Sequence, residues 1–336
     1  MNPFSQNPEH TISRIGETAL LNKVRSWLGP VTPLPPFGMG DDCAVLESVS
    51  QDSIVTTDGL VYGCHFDDAV PPHLAGTKLL KRNLSDIAAM GGHPCDAVCM
   101  LLLAPNVTSK WLKDFYLGLR RCCETYGVAI VGGDLSEGPR GSCAAWITLW
   151  GKSPYTPARF LQRSGAGVGD SLWVTGSLGG SRLGHHLDFT PRLKEGQWLA
   201  SQNNVHSMID ITDGLAKDLT ALLPEGCDAA LYSDQIPISD QARCFSKTSG
   251  HTVLHHALSD GEDYELLFTL AADQDVVAFD ALWRQHHTTP LSCIGRIINA
   301  VEATQPLQLR DAATEQPLAP LGGFQHFSDG PSPSSI

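Results

Sequence analysis

A chain of 336 residues is longer than one ordinary compact core and implies two domains of similar size. Its 42% hydrophobic content with 32 glycines suits a globular α/β protein and excludes disordered and fibrous classes. A formal net charge of -13 excludes a nucleic-acid binder, and the lack of any apolar run of roughly 18 residues excludes a membrane-spanning helix.

The polar start, 1–13, lacks the basic and apolar regions of a signal peptide. Ser13 to Trp27 carries Ile15, Ala19, Leu20, Val24 and Trp27 at helical spacing, and the proline-rich 30–36 then breaks the chain before Gly40-Asp41-Asp42. Ser53 to Thr57 reads as a short strand ending at Asp58. Pro71 to Met90 reads as a helix stopped by Gly91-Gly92. A buried strand, Ala97 to Ala104, precedes a helix from Ser109 to Tyr126. The strand Val128 to Val131 then runs into Gly132-Gly133-Asp134, and Cys143 to Trp150 is a further strand.

Lys152 to Gly169 has loop composition and divides the chain into domains 1–152 and 153–327, with a Ser/Pro/Gly-rich tail, 328–336, expected to be disordered. Beyond the boundary, Ser171–Thr175, Ser207–Ile211, Glu265–Leu270 and Leu291–Ile297 read as strands. Helices fall near Gly179–Asp188 and Leu215–Leu223, an α/β or α+β alternation. The ten cysteines form no C-x-x-C pair, and Cys43, Cys99, Cys143 and Cys293 lie in apolar runs. Reduced, structural thiols in a cytoplasmic protein are the expectation.

The chemical signal is a set of acids beside glycine or a small hydroxyl residue. They are Asp41-Asp42, Asp58 after Thr56-Thr57, Asp86, Asp134, Asp210 and Asp213 around Thr212, and Glu262-Asp263 after Gly261. Singly, each is a common turn or cap residue. Together they are costly, because two carboxylates about 4 Å apart repel by roughly 4 kcal/mol at an effective dielectric of 20. Such a group is tolerable when it binds cations, and magnesium takes hard oxygen ligands together with substrate phosphates. The pattern therefore points to magnesium–phosphate chemistry without fixing the substrate. No G-x-x-x-x-G-K-S/T loop, protein-kinase motif pair or G-x-S-x-G elbow occurs. His185-His186 and His255-His256 lack partners at ligand spacing and read as surface residues.

In order along the chain, the motifs are Gly40-Asp41-Asp42-Cys43-Ala44-Val45-Leu46, Thr57-Asp58 with Gly63-Cys64-His65-Phe66, and Asn83-Leu84-Ser85-Asp86-Ile87-Ala88-Ala89-Met90-Gly91. Gly132-Gly133-Asp134, Arg163-Ser164-Gly165-Ala166 and Ile209-Asp210-Ile211-Thr212-Asp213-Gly214 follow, then Gly261-Glu262-Asp263-Tyr264-Glu265-Leu266. This series resembles the thiamine-monophosphate kinase family, within the superfamily that also holds aminoimidazole ribonucleotide synthetase and selenophosphate synthetase.

The resemblance implies an α/β (α+β) two-domain fold whose N-terminal sheet pairs into a barrel across a homodimer. It implies ATP-dependent phosphorylation of thiamine phosphate to thiamine diphosphate by direct in-line transfer, assisted by several Mg2+ ions. Asp42, Thr56, Thr57, Asp58, Asp86, Asp134, Asp210 and Asp213 would hold the metal, with Asp58, Asp86 and Asp213 closest to the chemistry. Gly133, Asp134, Arg163 and Thr212 would meet ATP, and His65, Glu262 and Phe324 would line the thiamine phosphate pocket.

Thr56 and Thr212 stand where the family usually shows Ser, and both keep a hydroxyl. Lys81-Arg82 replace the smaller apolar residues expected before Asn83, leaving open whether they serve phosphate or face solvent. The rival readings are a non-catalytic nucleotide or thiamine phosphate binder and another ATP-using enzyme of the superfamily. Selenophosphate synthetase would need a reactive N-terminal Cys with a nearby Lys, and none precedes Pro30. A hydrogenase-maturation relative would need a C-terminal Cys, whereas this chain ends Pro-Ser-Ser-Ile.

Overall fold

The computed structural model describes residues 44–45, 53–104, 106–139, 141–300 and 308–318. Asp42, Phe324, the tail 328–336 and the helix expected over Ser13 to Trp27 lie outside the described residues.

The first sheet comprises β1 (Ala44–Val45), β2 (Ser53–Val61), β3 (His93–Leu103), β4 (Ala129–Glu137) and β5 (Cys143–Lys152), in the order β1-β2-β5-β3-β4. Only the β3–β4 pair is parallel, and the crossover between them is α2 (Ser109–Tyr126). Alternation along the strands sets the two faces. Ala97, Cys99, Leu101, Ala145, Ile147 and Leu149 are buried beneath α1 (Pro72–Ala89) and α2, while Met100 on the opposite face is 45% exposed. Pro72 at the first turn starts α1, and Gly91, at φ 71°, ends it.

α1 and α2 cross at contact distance because glycine sits on both. A Cβ at Gly76 would lie 2.1 Å from the Phe115 carbonyl oxygen, and one at Gly118 would lie 1.9 Å from that of His73. Gly76→Ala is expected to cost about 3 kcal/mol through overpacking, read as a lower urea midpoint with an unchanged slope.

The second sheet runs β11-β8-β10-β6-β9-β7, from β6 (Ser171–Thr175), β7 (Val205–Asp210), β8 (Cys227–Leu231), β9 (Leu266–Leu270), β10 (Leu291–Asn299) and β11 (Leu309–Asp311). Its strands pair antiparallel apart from β11 with β8. One face is covered by α5 (Leu215–Thr220) and α7 (Val253–Ser259) over a core containing Val174, Leu219, Leu258 and Leu267. On the other face Trp173 and Phe268 pack with Phe279 and Trp283 of α8 (Val276–His286). That core continues into Leu84, Ile87 and Met90, so α1 is enclosed by both halves of the molecule. α3 (His185–Asp188) and α4 (Leu193–Ser201) pack on α1 as well. Enclosure explains why α1 buries the polar residues Lys78, Lys81, Asn83 and Ser85.

Two of the acids expected at strand ends or turns, Asp58 and Asp134, lie inside regular strands, and Asp86 lies in the expected helix. β2 continues through Asp58 to Val61, with Asp58 opposite Ile147 on β5. Asp86 belongs to α1, and Asp134 lies within β4, which passes straight through Gly132-Gly133. His256, expected at the surface, is 2% exposed, held by Asp260 and by Ser249. Its neighbour His255 stacks on His251. α4, β8, β11, α6 (Asp240–Ser249), α7 and α8 have no counterpart in the sequence reading.

Candidate active site

α1 and β2 direct their side chains into a cavity of about 250 Å³ that the second half completes. From the first half come Thr56, Thr57, Asp58, His65, Arg82 and Asp86; Arg163, Arg182, Thr212, Asp213 and Glu262 come from the second. Buried Asn83 clamps the two elements together, its amide nitrogen donating 2.9 Å to Leu79 O of its own helix while its Oδ1 accepts the Asp58 N–H at 2.9 Å. Thr56 Oγ1 donates to Asp86 Oδ2 at 2.6 Å. The Asp58 carboxylate faces Arg82 Nε at 2.7 Å, and Arg82 also donates 2.9 Å to the Gly59 carbonyl. Arg82 thus points into the cavity. Lys81 lies 5.5 Å from the Phe189 ring centroid and 3.8 Å from Asp188.

The Thr212-Asp213 turn is built by a buried acid. Asp218 Oδ2 accepts the backbone N–H of both Thr212 and Asp213, each at 2.9 Å, while Asp213 itself pairs with Lys217 at 2.6 Å. Burial, and then the Asp213 charge, push the Asp218 carboxyl up to about 7. A carboxyl that holds its proton more tightly when folded loses stabilisation as pH rises from its unfolded value, about 4, through 7. Asp218→Asn keeps an acceptor oxygen and removes that dependence. The variant should therefore gain stability relative to the parent across this interval, measured by urea unfolding at several pH values without added divalent cation.

The remaining expected site residues lie apart from this wall. Asp210 ends β7, is 2% exposed and accepts 2.5 Å from Ser85 Oγ of α1, stitching the two halves together behind the cavity. Gly133 and Asp134 line a second cavity of about 510 Å³ on the exposed sheet face, which Thr57 shares with the first. A third cavity, about 430 Å³, shares His65, Arg182 and Glu262 with the first and is also lined by Phe66 and His186. His186, expected at the surface, instead faces this cavity beside the buried ammonium of Lys78, 2.8 Å from its Nδ1.

Glu262 sits where the first and third cavities meet. Lys78 Nζ lies 2.7 Å from its Oε1, Tyr264 Oη donates to the same oxygen at 3.1 Å, and His186 Nδ1 lies 3.4 Å from Oε2. Burial opposes the charge on Glu262, but Lys78 and Arg82 outweigh it and hold the carboxyl well below its ordinary value. Asp263 and Glu265 of the same motif are structural. Asp263 accepts the Gly179 N–H and is pushed well above its ordinary value by complete burial, and Glu265 takes two hydrogen bonds from Arg192. Lys78, Arg182, His186, Tyr264 and Asp218 escaped the sequence reading; the one available signal was a lysine set among leucines in an otherwise enclosed helix.

Among the described residues no group of three or more His, Cys, Asp or Glu side chains is arranged to hold a metal ion. Asp58 is engaged by Arg82, Asp86 by the Thr56 hydroxyl and Asp213 by Lys217. The donor chemistry still fits magnesium, because every side-chain donor on the wall formed by Thr56, Thr57, Asp58, Asp86 and Asp213 is a hard oxygen.

Residues 40–152 match the AIR synthase related protein, N-terminal domain, and residues 160–304 match the corresponding C-terminal domain. A thiamine-monophosphate kinase from Rhodopirellula baltica is 37% identical over 278 residues, covering 79% of this chain and 84% of that protein. Its namesake from Escherichia coli K12 is 33% identical over 316 residues, covering 87% and 92%. Among solved structures, the thiamine monophosphate kinase of Aquifex aeolicus superposes with a TM-score of 0.70 at 27% identity, covering 84% of this chain and 94% of that one. AaThiL complexed with AMPPCP and TMP gives a TM-score of 0.78 at 26% identity, covering 96% and 100%. Hydrogenase maturation protein HypE, at 18% identity and a TM-score of 0.62, shares the fold. The motifs, the two-sheet architecture and these relatives agree: the chain belongs to the thiamine-monophosphate kinase family of AIR synthase related proteins.

Proposed function

We propose that this protein transfers the γ-phosphoryl group of ATP to thiamine monophosphate, releasing ADP and thiamine diphosphate. One observation carries the reading. A single cavity gathers Asp58, Asp86 and Asp213 from both halves of the chain and sets them among Arg82, Arg163 and Arg182. Oxygen donors beside guanidinium groups suit two phosphate-bearing reactants that must be brought together against their mutual repulsion. The names of the relatives and the AMPPCP and TMP bound in AaThiL supply the reactants.

Asp58, Asp86 and Asp213 with the hydroxyls of Thr56 and Thr57 would hold Mg2+, and Asp42, Asp134 and Asp210 complete the ligand set that the family resemblance implies. Bound magnesium supplies charge neutralisation between the two anions. The nucleophile is already a phosphate oxygen, so the protein needs no strong general base. Arg163 and Thr212 are assigned to the ATP phosphates, and His65 and Glu262, with Phe324, to the thiamine phosphate. Opening the Asp58–Arg82 and Asp213–Lys217 pairs would free two carboxylates for metal and two cations for phosphate.

A homodimer belongs to the same reading. It is supported by the uncovered sheet face, where Met100 is 45% and Leu135 is 62% exposed beside the cavity of Gly133 and Asp134. A second copy covering that face would enclose the outer part of an ATP site and close the barrel. So does the division into 1–152 and 153–327, which follows the two sheets. A cytoplasmic location is consistent with the unpaired described cysteines, and among the described residues no helix is long and apolar enough to cross a membrane.

The decisive assay incubates the protein with ATP, Mg2+ and thiamine monophosphate, with unphosphorylated thiamine in parallel. Thiamine diphosphate and ADP in equal amounts, from the phosphorylated acceptor alone, is the expected result. Binding of both ligands without turnover would overturn it in favour of a binding protein.

A further inference from the structure

We propose that Lys78 is a positioning residue for acceptor recognition, fixing the Glu262 carboxylate so that its Oε2 receives an N–H group of the acceptor's heterocycle. The proposal rests on the assignment of Glu262 to the thiamine phosphate pocket and adds to it the device that makes Glu262 selective.

Lys78 is fully buried, yet its ammonium group is saturated. Nζ meets Glu262 Oε1 at 2.7 Å, His186 Nδ1 at 2.8 Å and the His65 carbonyl at 3.1 Å, one acceptor for each of its three protons. These partners come from three separate segments, and His65, His186 and Glu262 all line the third cavity. Tyr264 Oη takes a second position on Glu262 Oε1. Oε1 is thereby committed, whereas among the described residues Oε2 meets only His186, at 3.4 Å. Oε2 is the oxygen left for a ligand.

The backbone is fixed as firmly as the side chain. Glu262 and Tyr264 have φ values of 55° and 53°, a left-handed conformation that costs non-glycine residues of order 1–3 kcal/mol. It is held by Glu262 N donating to Thr212 O at 2.7 Å and Tyr264 N to Ile211 O at 2.8 Å. Such strain persists where the surroundings over-determine it, and it clusters at ligand sites. Burial pushes the Lys78 ammonium below its ordinary value and the Glu262 charge opposes this, so the two stand as an ion pair, and removing Lys78 alone lowers stability by stranding the Glu262 charge. Its value is in orientation and charge.

An ionised carboxylate accepts hydrogen bonds and cannot donate them. Oε2 therefore favours an amino group on the pyrimidine and rejects a carbonyl oxygen at the same place. A site built to pair with an N–H discriminates strongly against the analogue lacking it, because its own polar group is left unpaired.

The test measures kcat and KM for thiamine phosphate and for oxythiamine phosphate, its 4-oxopyrimidine counterpart. The proteins compared are the parent, Lys78→Met, Glu262→Gln and the double variant. Lys78→Met should raise KM for thiamine phosphate on the order of 10-fold, leave KM for ATP within about two-fold, and reduce the preference for the amino over the oxo substrate. In the Glu262→Gln background it should add nothing, since Lys78 acts through Glu262. A normal KM and preference in Glu262→Gln would remove Glu262 from the pocket and the present proposal with it. An altered Glu262→Gln beside an unaltered Lys78→Met would overturn the role of Lys78 alone. A full additional loss in the double variant, or equal damage to ATP use, would make Lys78 merely structural. Should Lys78→Met fail to fold, Lys78→Gln, which keeps a donor without the charge, carries the same comparisons.

Discussion

Asp86→Asn is expected to lower kcat on the order of 100-fold or more while leaving the thermal unfolding midpoint near that of the parent protein. Asp86 Oδ2 accepts a 2.6 Å hydrogen bond from Thr56 Oγ1, and an asparagine carbonyl oxygen accepts the same bond in the same space. The substitution therefore leaves the α1–β2 contact intact and removes one negative charge from the cavity wall. If that charge binds a cation between two phosphates, chemistry suffers and folding does not. Saturation kinetics with ATP, Mg2+ and thiamine monophosphate, beside a melting curve, separate the two. A kcat within a few-fold of the parent would exclude Asp86 from the metal site.

Arg192→Met should destabilise the protein by about 3–5 kcal/mol, because it strands a buried carboxylate. Glu265 is 2% exposed and receives Arg192 Nε at 2.7 Å and Nη2 at 2.6 Å, with Thr175 Oγ1 at 2.6 Å as a further donor. Glu265 stands at the entry to β9, directly after the strained Glu262–Tyr264 segment, so this fork anchors the segment that carries Glu262. Urea unfolding gives the cost directly, and adding Glu265→Gln to Arg192→Met should recover part of it by removing the stranded charge. A loss below about 1 kcal/mol would show that the pair contributes little to stability.

The sequence motifs identified the family, because long runs such as Asn83–Gly91 and Gly261–Leu266 constrain residue identity far beyond any single acid. They did not reveal why each residue is there. Asp58 was expected at the end of a strand that the structure carries on to Val61. In the structure Gly59 lies mid-strand, opposite Trp146, where a Cβ would be 2.3 Å from the Trp146 ring. The glycine makes room for a ring across the sheet. Gly133 behaves alike, since a Cβ there would lie 1.8 Å from the Cys99 carbonyl oxygen.

Lys78 was illegible for a different reason. A lysine on an amphipathic helix normally marks its solvent side, and only the second half of the chain, far away in sequence, converts that position into an interior. His186 and Glu262 reach Lys78 from 108 and 184 residues away. The missed helix α6 is polar along most of its length and buries only Ala242, which leaves few apolar residues to mark it.

Under the proposed function, acids from both halves of the chain surround cations between two phosphate-bearing molecules. Determining the structure with Mg2+, a non-hydrolysable ATP analogue and thiamine monophosphate tests this most directly. Cations touching Asp58, Asp86 and Asp213 together with oxygens of both ligands, with the Arg82 and Lys217 pairs opened, are the expected result. Both ligands bound elsewhere, with Asp58 still on Arg82 and Asp213 still on Lys217, would contradict it.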